Sequence, residues 1–155
     1  MSRSVCRVTR AEAADLDALA PLFDAYRQFY ERPADLTRSR TFLAERLAQQ
    51  QSVLWLAWQG DQAVGLCQCY PSFCSVLAAP IWVLYDLYVS AEARRSGAGR
   101  ALMQAAEAAA RAQGIARLDL TTAHDNLRAQ ALYVSQGWVH DQVFRTYTKT
   151  LGPQT

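Results

Sequence analysis

A chain of 155 residues, 51% hydrophobic, with 16 Lys and Arg against 14 Asp and Glu and a formal net charge of +2, is long enough to bury one full core. The charge balance argues against a polybasic nucleic-acid binder, and no apolar run approaches a membrane span, so we expect a single globular domain over 1–155 with neither nucleic acid nor membrane as a partner. The leading Met-Ser-Arg-Ser-Val-Cys-Arg-Val has no apolar core of a secretion signal, which makes the cytoplasm the expected location.

In chain order, Val5 to Thr9 reads as a short strand, and Thr9-Arg-Ala-Glu12 has the form of a capping box. Apolar positions at Leu16, Leu19, Leu22, Phe23, Tyr26, Phe29 and Tyr30 keep helical spacing, with Pro21 expected to kink or split the helix. Pro33 closes that segment. Thr37 is expected to cap a second helix with Phe42, Leu43, Arg46 and Leu47 on one face.

Ser52 to Trp58 and Ala63 to Tyr70 alternate as strands around the tight turn Gln59-Gly-Asp-Gln62, and Pro71 to Pro80 reads as a loop with a strand extension at most. The four cysteines, Cys6, Cys67, Cys69 and Cys74, have neither CxxC spacing nor a nearby His pair. No metal is therefore expected, and the thiols read as reduced small hydrophobes.

The most informative stretch runs from Ile81 to Met103. Nine mostly apolar, β-favouring residues lead through a basic, glycine-bearing turn into an alanine-rich helix. Backbone N–H groups at a helix start lack intrahelical acceptors and the dipole there is positive, so the turn Arg94-Arg95-Ser96-Gly97-Ala98-Gly99-Arg100 reads as a phosphate cradle. Gly97 and Gly99 leave the amides accessible, and Arg94, Arg95 and Arg100 add long-range attraction.

Asp86 interrupts the apolar run. A carboxylate in a strand covered on both faces has to be hydrogen-bonded, paired or open to a cleft, so it is either a hydrogen-bonded structural carboxylate or a base or amine-orienting residue. Gly114 with Ile115 stops the alanine-rich helix, Arg117 to Thr122 is a strand, and Asp125 or Asn126 caps a helix that Gly137 ends. Trp138 to Leu151 reads as two strands or a bent one. The order βααβββαβαββ predicts an α/β domain with a mixed central sheet of about seven strands and helices on both faces. The tail Val143 to Lys149 alternates like an edge strand, and such an edge invites a second copy, so a homodimer is expected. His124 and His140 read as surface residues.

Leu87 to Met103, with Arg94, Gly97 and Gly99 filling Arg/Gln-x-x-Gly-x-Gly/Ala, resembles motif A of the GNAT superfamily of acetyl-CoA-dependent N-acetyltransferases. Asp125 to Trp138, with Asn126, Ala-Leu-Tyr133 and Gly137-Trp138, resembles its motif B. The two motifs span about residues 81–140 in the family's order, and the likeness is greatest to the small histone and polyamine acetyltransferases. The resemblance implies that the amides of Arg95 to Arg100 take the diphosphate of coenzyme A and that Leu87, Tyr88 and Val89 flank its pantetheine arm. It also makes the Leu87 N–H a donor to the developing oxyanion.

By the same comparison Asn126 contacts the pantetheine side, Ala129 and Leu132 line the cofactor, and Tyr133 protonates the departing sulfur. A phenol near pKa ~10 is chemically adequate to protonate a thiolate whose conjugate acid lies near ~8.5. Tyr133 also has a simpler reading as a core aromatic of its helix. In the GNAT fold the region of Tyr30 and Glu31 borders the acceptor, which makes both residues candidate contacts for a cationic amine. The implied activity is acetyl transfer from acetyl-CoA to a small-molecule or protein amine; the alternative is a noncatalytic acyl-CoA-binding module. A dinucleotide fingerprint lacks its third glycine, and neither a P-loop nor a nucleophile elbow is present.

Overall fold

The structure, a computed structural model, describes residues 6–153. Two compact units divide the chain, Met1–Thr121 and Thr122–Thr155. The first holds strands β1 (Arg7–Arg10), β2 (Val53–Gln59), β3 (Gln62–Cys74), β4 (Ala79–Val89) and β5 (Leu118–Asp119), side by side in that order. β1 to β4 pair antiparallel, and β5 joins β4 in parallel, as a strand returning through a crossover helix must. That helix is α3 (Ala98–Ala112); α1 (Leu16–Phe29) and α2 (Leu36–Ala48) connect β1 to β2.

The sheet is mixed as expected, but the described residues hold five strands where about seven were predicted. Residues 138–151 contain no strand. Their alternating pattern satisfies only the local condition for a strand, and a ladder also needs a neighbour's backbone. The segment read as a loop before Pro80 is instead strand on both sides of a turn at Ser75 to Ala78, making β3 and β4 one long hairpin. Of the strand predicted from Val5 to Thr9, Val5 lies outside the described residues, and β1 covers Arg7–Arg10.

α1 starts at Leu16, after a short 3-10 turn at Ala13–Asp15 where the Glu12 N–H donates to the Asp15 carboxylate at 2.8 Å. The expected Thr9–Glu12 box is therefore replaced by Glu12 and Asp15. Pro21 neither splits nor ends α1, which continues to Phe29. Asp35, not Thr37, caps α2 by accepting from the Arg38 N–H at 3.0 Å.

Leu19, Leu22 and Phe23 of α1 and Leu43 of α2 pack on Leu54, Leu56 and Leu66 of the sheet. Leu19, Leu43, Leu54, Leu56 and Leu66 are wholly buried, so truncating any one to Ala removes ~2–5 kcal/mol. The opposite face receives α3 through Leu102, Met103, Ala106 and Ala110, all buried. Gly65 makes that approach possible. A Cβ there would stand 3.0 Å from the Tyr88 carbonyl oxygen and 3.2 Å from the Leu102 side chain.

Helix ends repeat one device. Past α3 the Ile115 N–H reaches back to the Ala110 carbonyl at 3.0 Å with Gly114 at φ +71°, and past α1 the Arg32 N–H reaches Arg27 at 3.0 Å with Glu31 at φ +61°. These are Schellman stops, glycine-borne in the first and strained in the second.

The second unit contains α4 (Leu127–Ser135), capped by Asn126, whose side-chain oxygen accepts from the Ala129 N–H at 3.4 Å. It too ends in a Schellman stop: Gly137 takes φ +87°, and the Trp138 N–H donates to the Tyr133 carbonyl at 3.1 Å. Tyr133 and Trp138 supply the accompanying apolar contact, their ring centroids 6.3 Å apart.

Candidate active site

Asp86 sits at the centre of the first unit's polar chemistry. Gln68 of β3 and Asp86 of β4 are register partners, but the next pair is Cys69 with Leu84, so β4 carries one extra residue, Tyr85. This bulge turns Tyr85 outward, to 64% exposure, and leaves Asp86 facing in at 4%. Leu66, two residues before Gln68 and on the same side of β3, packs against α1 and α2, so Gln68 and Asp86 face those helices.

The Gln68 amide Nε2 donates to Asp86 Oδ2 at 2.6 Å and to the Tyr70 hydroxyl at 2.9 Å. Tyr26 of α1 closes the site from above, its hydroxyl facing Asp86 and lying 3.4 Å from the Tyr85 carbonyl. Burial pushes the Asp86 carboxyl above the usual range, outweighing the hydrogen bonds from Gln68 and Tyr26 that pull it down. The Tyr26 and Tyr70 hydroxyls are pushed up as well, by burial first and then by the charge of Asp86.

Aromatic rings extend from this carboxylate toward solvent. Tyr26 meets Tyr30 edge-on at 5.1 Å and Tyr88 at 6.3 Å, Tyr30 meets Phe29 at 5.2 Å, and Tyr70 meets Tyr85 at 5.4 Å. Tyr30 is half-exposed. The structure thus brings Tyr30 within one ring of the Asp86 cover. Glu31 occupies the left-handed stop of α1, which explains its position without a ligand.

The turn predicted to bind phosphate leads into α3. Gly97 is the N-cap of α3 at φ +89°, and a Cβ added there would meet nothing within 4 Å, so the space over the turn is open. Ser96 Oγ accepts from the Ala98 N–H at 3.3 Å, and Ala98 itself is buried. Arg95 takes φ +66°, a conformation costly for a side chain with a Cβ and typical of loops held for function. Gly99 and Arg100 follow in the first helical turn, whose amides point out of the helix start. Arg94 folds back, its Nε donating to the Val89 carbonyl at 3.4 Å and its guanidinium 6.0 Å from the Phe29 ring.

β4 runs on toward this turn past the end of its pairing with β5. Its register with β5 ends at Val83 with Asp119, so among the described residues Leu84 to Val89 have no β5 partner. Leu87, Tyr88 and Val89, expected to flank a pantetheine arm, lie on that stretch and are part-buried. These features fit a coenzyme A diphosphate and pantetheine arm: a turn at a helix start with open space over Gly97, continuous with the stretch of β4 beyond its β5 pairing.

In the second unit Asn126, Ala129, Leu132 and Tyr133 lie along α4 and are part-buried. Asn126 is committed to capping and Tyr133 to the helix stop, so both have a structural occupation whatever else they do. His124 is exposed, and His140 is exposed beside the Gln142 amide at 2.9 Å. Gln68, Tyr70 and Tyr26 are the site residues that the sequence did not mark. A single inward polar residue in Val64-Gly-Leu-Cys-Gln-Cys-Tyr70 was the available signal for Gln68.

A second buried carboxylate, Asp24 of α1, is built differently. It accepts from the Asp35 N–H at 3.0 Å, the Ser39 hydroxyl at 2.8 Å and the Gln28 amide at 3.0 Å, with the Arg27 guanidinium 3.9 Å away. Burial alone would raise it, but these donors and the Arg27 charge prevail and hold it below the ordinary carboxylate range. It ties α2 to α1. No group of three or more His, Cys, Asp or Glu side chains suited to a metal ion occurs among the described residues, and none of their helices is long and apolar enough to cross a membrane.

The sheet, the glycine-started helix after β4 and the sequence motifs together define an α/β acyltransferase. The acetyltransferase (GNAT) family model matches residues 19–138, and the chain belongs to that family, as a GNAT-type N-acetyltransferase. It is 39% identical over 140 residues to the uncharacterized N-acetyltransferase YhfO of Bacillus subtilis (strain 168), covering 90% of this chain and 94% of that one. The crystal structure of a probable acetyltransferase superposes with a TM-score of 0.89 at 39% identity, covering 96% and 99% of the two chains. A ribosomal-protein-alanine N-acetyltransferase from Brucella melitensis biovar Abortus 2308, at TM-score 0.80 and 19% identity, covers 96% of this chain and 100% of its own and shares the fold.

Proposed function

We propose that this protein transfers an acetyl group from acetyl-CoA to a primary amine, either a small amine or polyamine or a protein lysine, by direct attack in a ternary complex. The observation that carries the reading is Asp86: a buried carboxylate of raised proton affinity on the strand that leads into the open glycine turn. Acetyl-CoA supplies the activated acetyl group as a thioester.

The protein's own residues do the rest. The amides of Arg95 to Arg100, aided by the charges of Arg94, Arg95 and Arg100, hold the diphosphate, and Leu87 to Val89 bind the pantetheine arm along the stretch of β4 beyond its β5 pairing. The Leu87 N–H offers a donor where negative charge develops on the carbonyl oxygen. An amine arrives as its ammonium, guided by the aromatic faces of Tyr30 and Tyr26. Asp86 takes its proton, across the Tyr26 hydroxyl or an intervening water, because the carboxylate itself is only 4% exposed. Asn126, Ala129 and Leu132 contribute cofactor contacts, Tyr133 gives a proton to the departing sulfur, and Glu31 adds charge complementarity for the amine. We further propose a cytoplasmic homodimer, on the strength of the alternating segment Val143 to Lys149.

The histone-like and polyamine-like assignments differ in acceptor size, which a mass-spectrometric screen of polyamines, amino acids and lysine peptides incubated with acetyl-CoA resolves. Thiol release from acetyl-CoA in the presence of an amine supports the enzyme, and Tyr133→Phe is expected to slow it by more than ~10-fold. Coenzyme A binding by calorimetry with no thiol release across the whole panel would establish the noncatalytic alternative.

A further inference from the structure

The wholly buried Gln68 has a cost that its packing does not explain. Its neighbours across and along the sheet include Leu54 and Leu66, and an apolar side chain of similar length would fill the same space without an amide to satisfy. Half of that amide is unsatisfied in any case: Gln68 Oε1 is buried with no hydrogen-bond partner, while Nε2 serves both Asp86 at 2.6 Å and Tyr70 at 2.9 Å.

Building on the functional reading above, we propose that Gln68 is the positioning residue of the acid–base site, holding Asp86 through an amide that can present either of its two ends to the carboxyl group. With Asp86 ionised, the NH2 end donates to Oδ2, as in this structure. When the ammonium gives up its proton, the N–H bond of the substrate breaks and an O–H bond forms on Asp86; the carboxyl group is then a donor. Rotating the amide about its last bond brings Oε1 round to accept from that O–H and from the Tyr70 hydroxyl. The base keeps a partner in both protonation states, and the proton returns to solvent when the amide turns back.

The groups facing Asp86 make the amide the natural switch. From β3 come Gln68 and Tyr70 and from α1 the Tyr26 hydroxyl; the Cys67 thiol is buried on the other face of β3, Tyr85 of β4 is turned outward, and Arg46 of α2 acts on Tyr70. The phenols are held protonated by burial and by the carboxylate itself, so they stay neutral donors while Asp86 titrates. Tyr70 fits this arrangement because a hydroxyl both accepts from N–H and donates to C=O, following the amide in either orientation. The bulge sets the pairing: were the register of Cys69 with Leu84 to continue unbroken, Tyr85 and not Asp86 would stand opposite Gln68.

The decisive measurements pair kinetics with spectroscopy. In Gln68→Met the donor to the carboxylate is lost, so Asp86 holds its proton to higher pH. The rate at pH 7 is expected to fall about 10-fold, recovering as pH rises, with the KM for acetyl-CoA unchanged. A profile that keeps its shape while the whole rate falls would reduce Gln68 to a packing residue and overturn the proposal. Because a core variant may lose its fold, the second measurement uses the native protein: the side-chain 15N–1H resonances of Gln68 followed through the titration of a 13C-carboxyl-labelled Asp86. The two should move together, and Asp86→Asn should abolish the movement; amide resonances that stay flat while Asp86 titrates would refute the switch. Absence of acetyl transfer to any amine would defeat the functional reading alone, since the coupled titration is observed without turnover.

Discussion

Asp24 and Asp86 are both nearly buried, at 7% and 4% exposure, yet their surroundings drive them in opposite directions. Asp24 lies where two helices meet and collects a backbone amide, a hydroxyl, a side-chain amide and a nearby guanidinium. Asp86 lies beside a strand bulge and has the Gln68 amide and the Tyr26 hydroxyl. Burial disfavours both charges; donor number decides which loses. The well-supplied carboxylate ties α2 to α1, and the poorly supplied one is the candidate proton acceptor of the proposed function.

The sharpest way to break this contrast is Asp86→Asn. If Asp86 is the proton acceptor, kcat/KM for the amine falls by ~10²-fold or more. The thermal midpoint at pH 7 should stay level or rise, because an ionised group of raised proton affinity is a burden on the fold. A variant that keeps its rate, or that melts well below the parent, would make Asp86 structural after all. Asp24→Asn should do the reverse. Losing a carboxylate that accepts three hydrogen bonds removes about 2 kcal/mol, a drop of roughly 4–8 °C in midpoint, with the rate per folded molecule unchanged.

Measuring the midpoint against pH sharpens the comparison further. The stability that Asp24 contributes is present above the ordinary carboxylate range and lost as pH falls through its lowered folded-state value. Asp86 behaves oppositely, since its raised value gives stability that is full at low pH and disappears as pH rises through the folded-state value. Asp24→Asn should therefore flatten the acid limb, and Asp86→Asn the decline above it; identical curves for the two variants would mean that the two sites are electrostatically alike.

The smallest effect is expected at the end of α1, the helix that carries Asp24. Glu31 holds φ +61°, so Glu31→Gly exchanges the left-handed strain of a side chain for glycine's greater freedom in the unfolded chain. A gain of about 0.5 kcal/mol, or 1–2 °C, is expected. Unchanged KM for the amine would assign Glu31 to the helix stop, and a KM rise would assign it to the acceptor site.

Much of this was legible from residue order. Arg94-x-x-Gly97-x-Gly99 after an apolar strand dictates a helix start with open amides because glycine's freedom and the geometry of a first turn are local facts, and Gly97 sits there at φ +89°. Asp86 could be singled out because a carboxylate amid apolar residues is anomalous under any fold. The Gly137 stop was equally visible. Less local features were missed. The position of the α1 start depended on a 3-10 turn that competes with the Thr9 box, and the long hairpin through Pro71 to Pro80 depended on two strands finding each other across a turn. The alternation after Trp138 suggested strands that are absent from the described residues, since side-chain pattern cannot supply a ladder partner.

By itself, then, the amino-acid order determined in outline the helices and strands between Thr37 and Gly114 apart from the hairpin end at Pro71 to Pro80, the glycine turn that opens α3 and the presence of a carboxylate needing an explanation, because each is set by dihedral preference, periodicity or desolvation within a few residues. Only the tertiary structure decided that Tyr85 is an extra residue in β4, that Asp86 consequently faces Gln68 and Tyr26, and that Asp24 has donors enough to stay charged. Register and donor supply are properties of segments brought together from far apart in the chain, and the proton affinity of a buried group follows from that meeting.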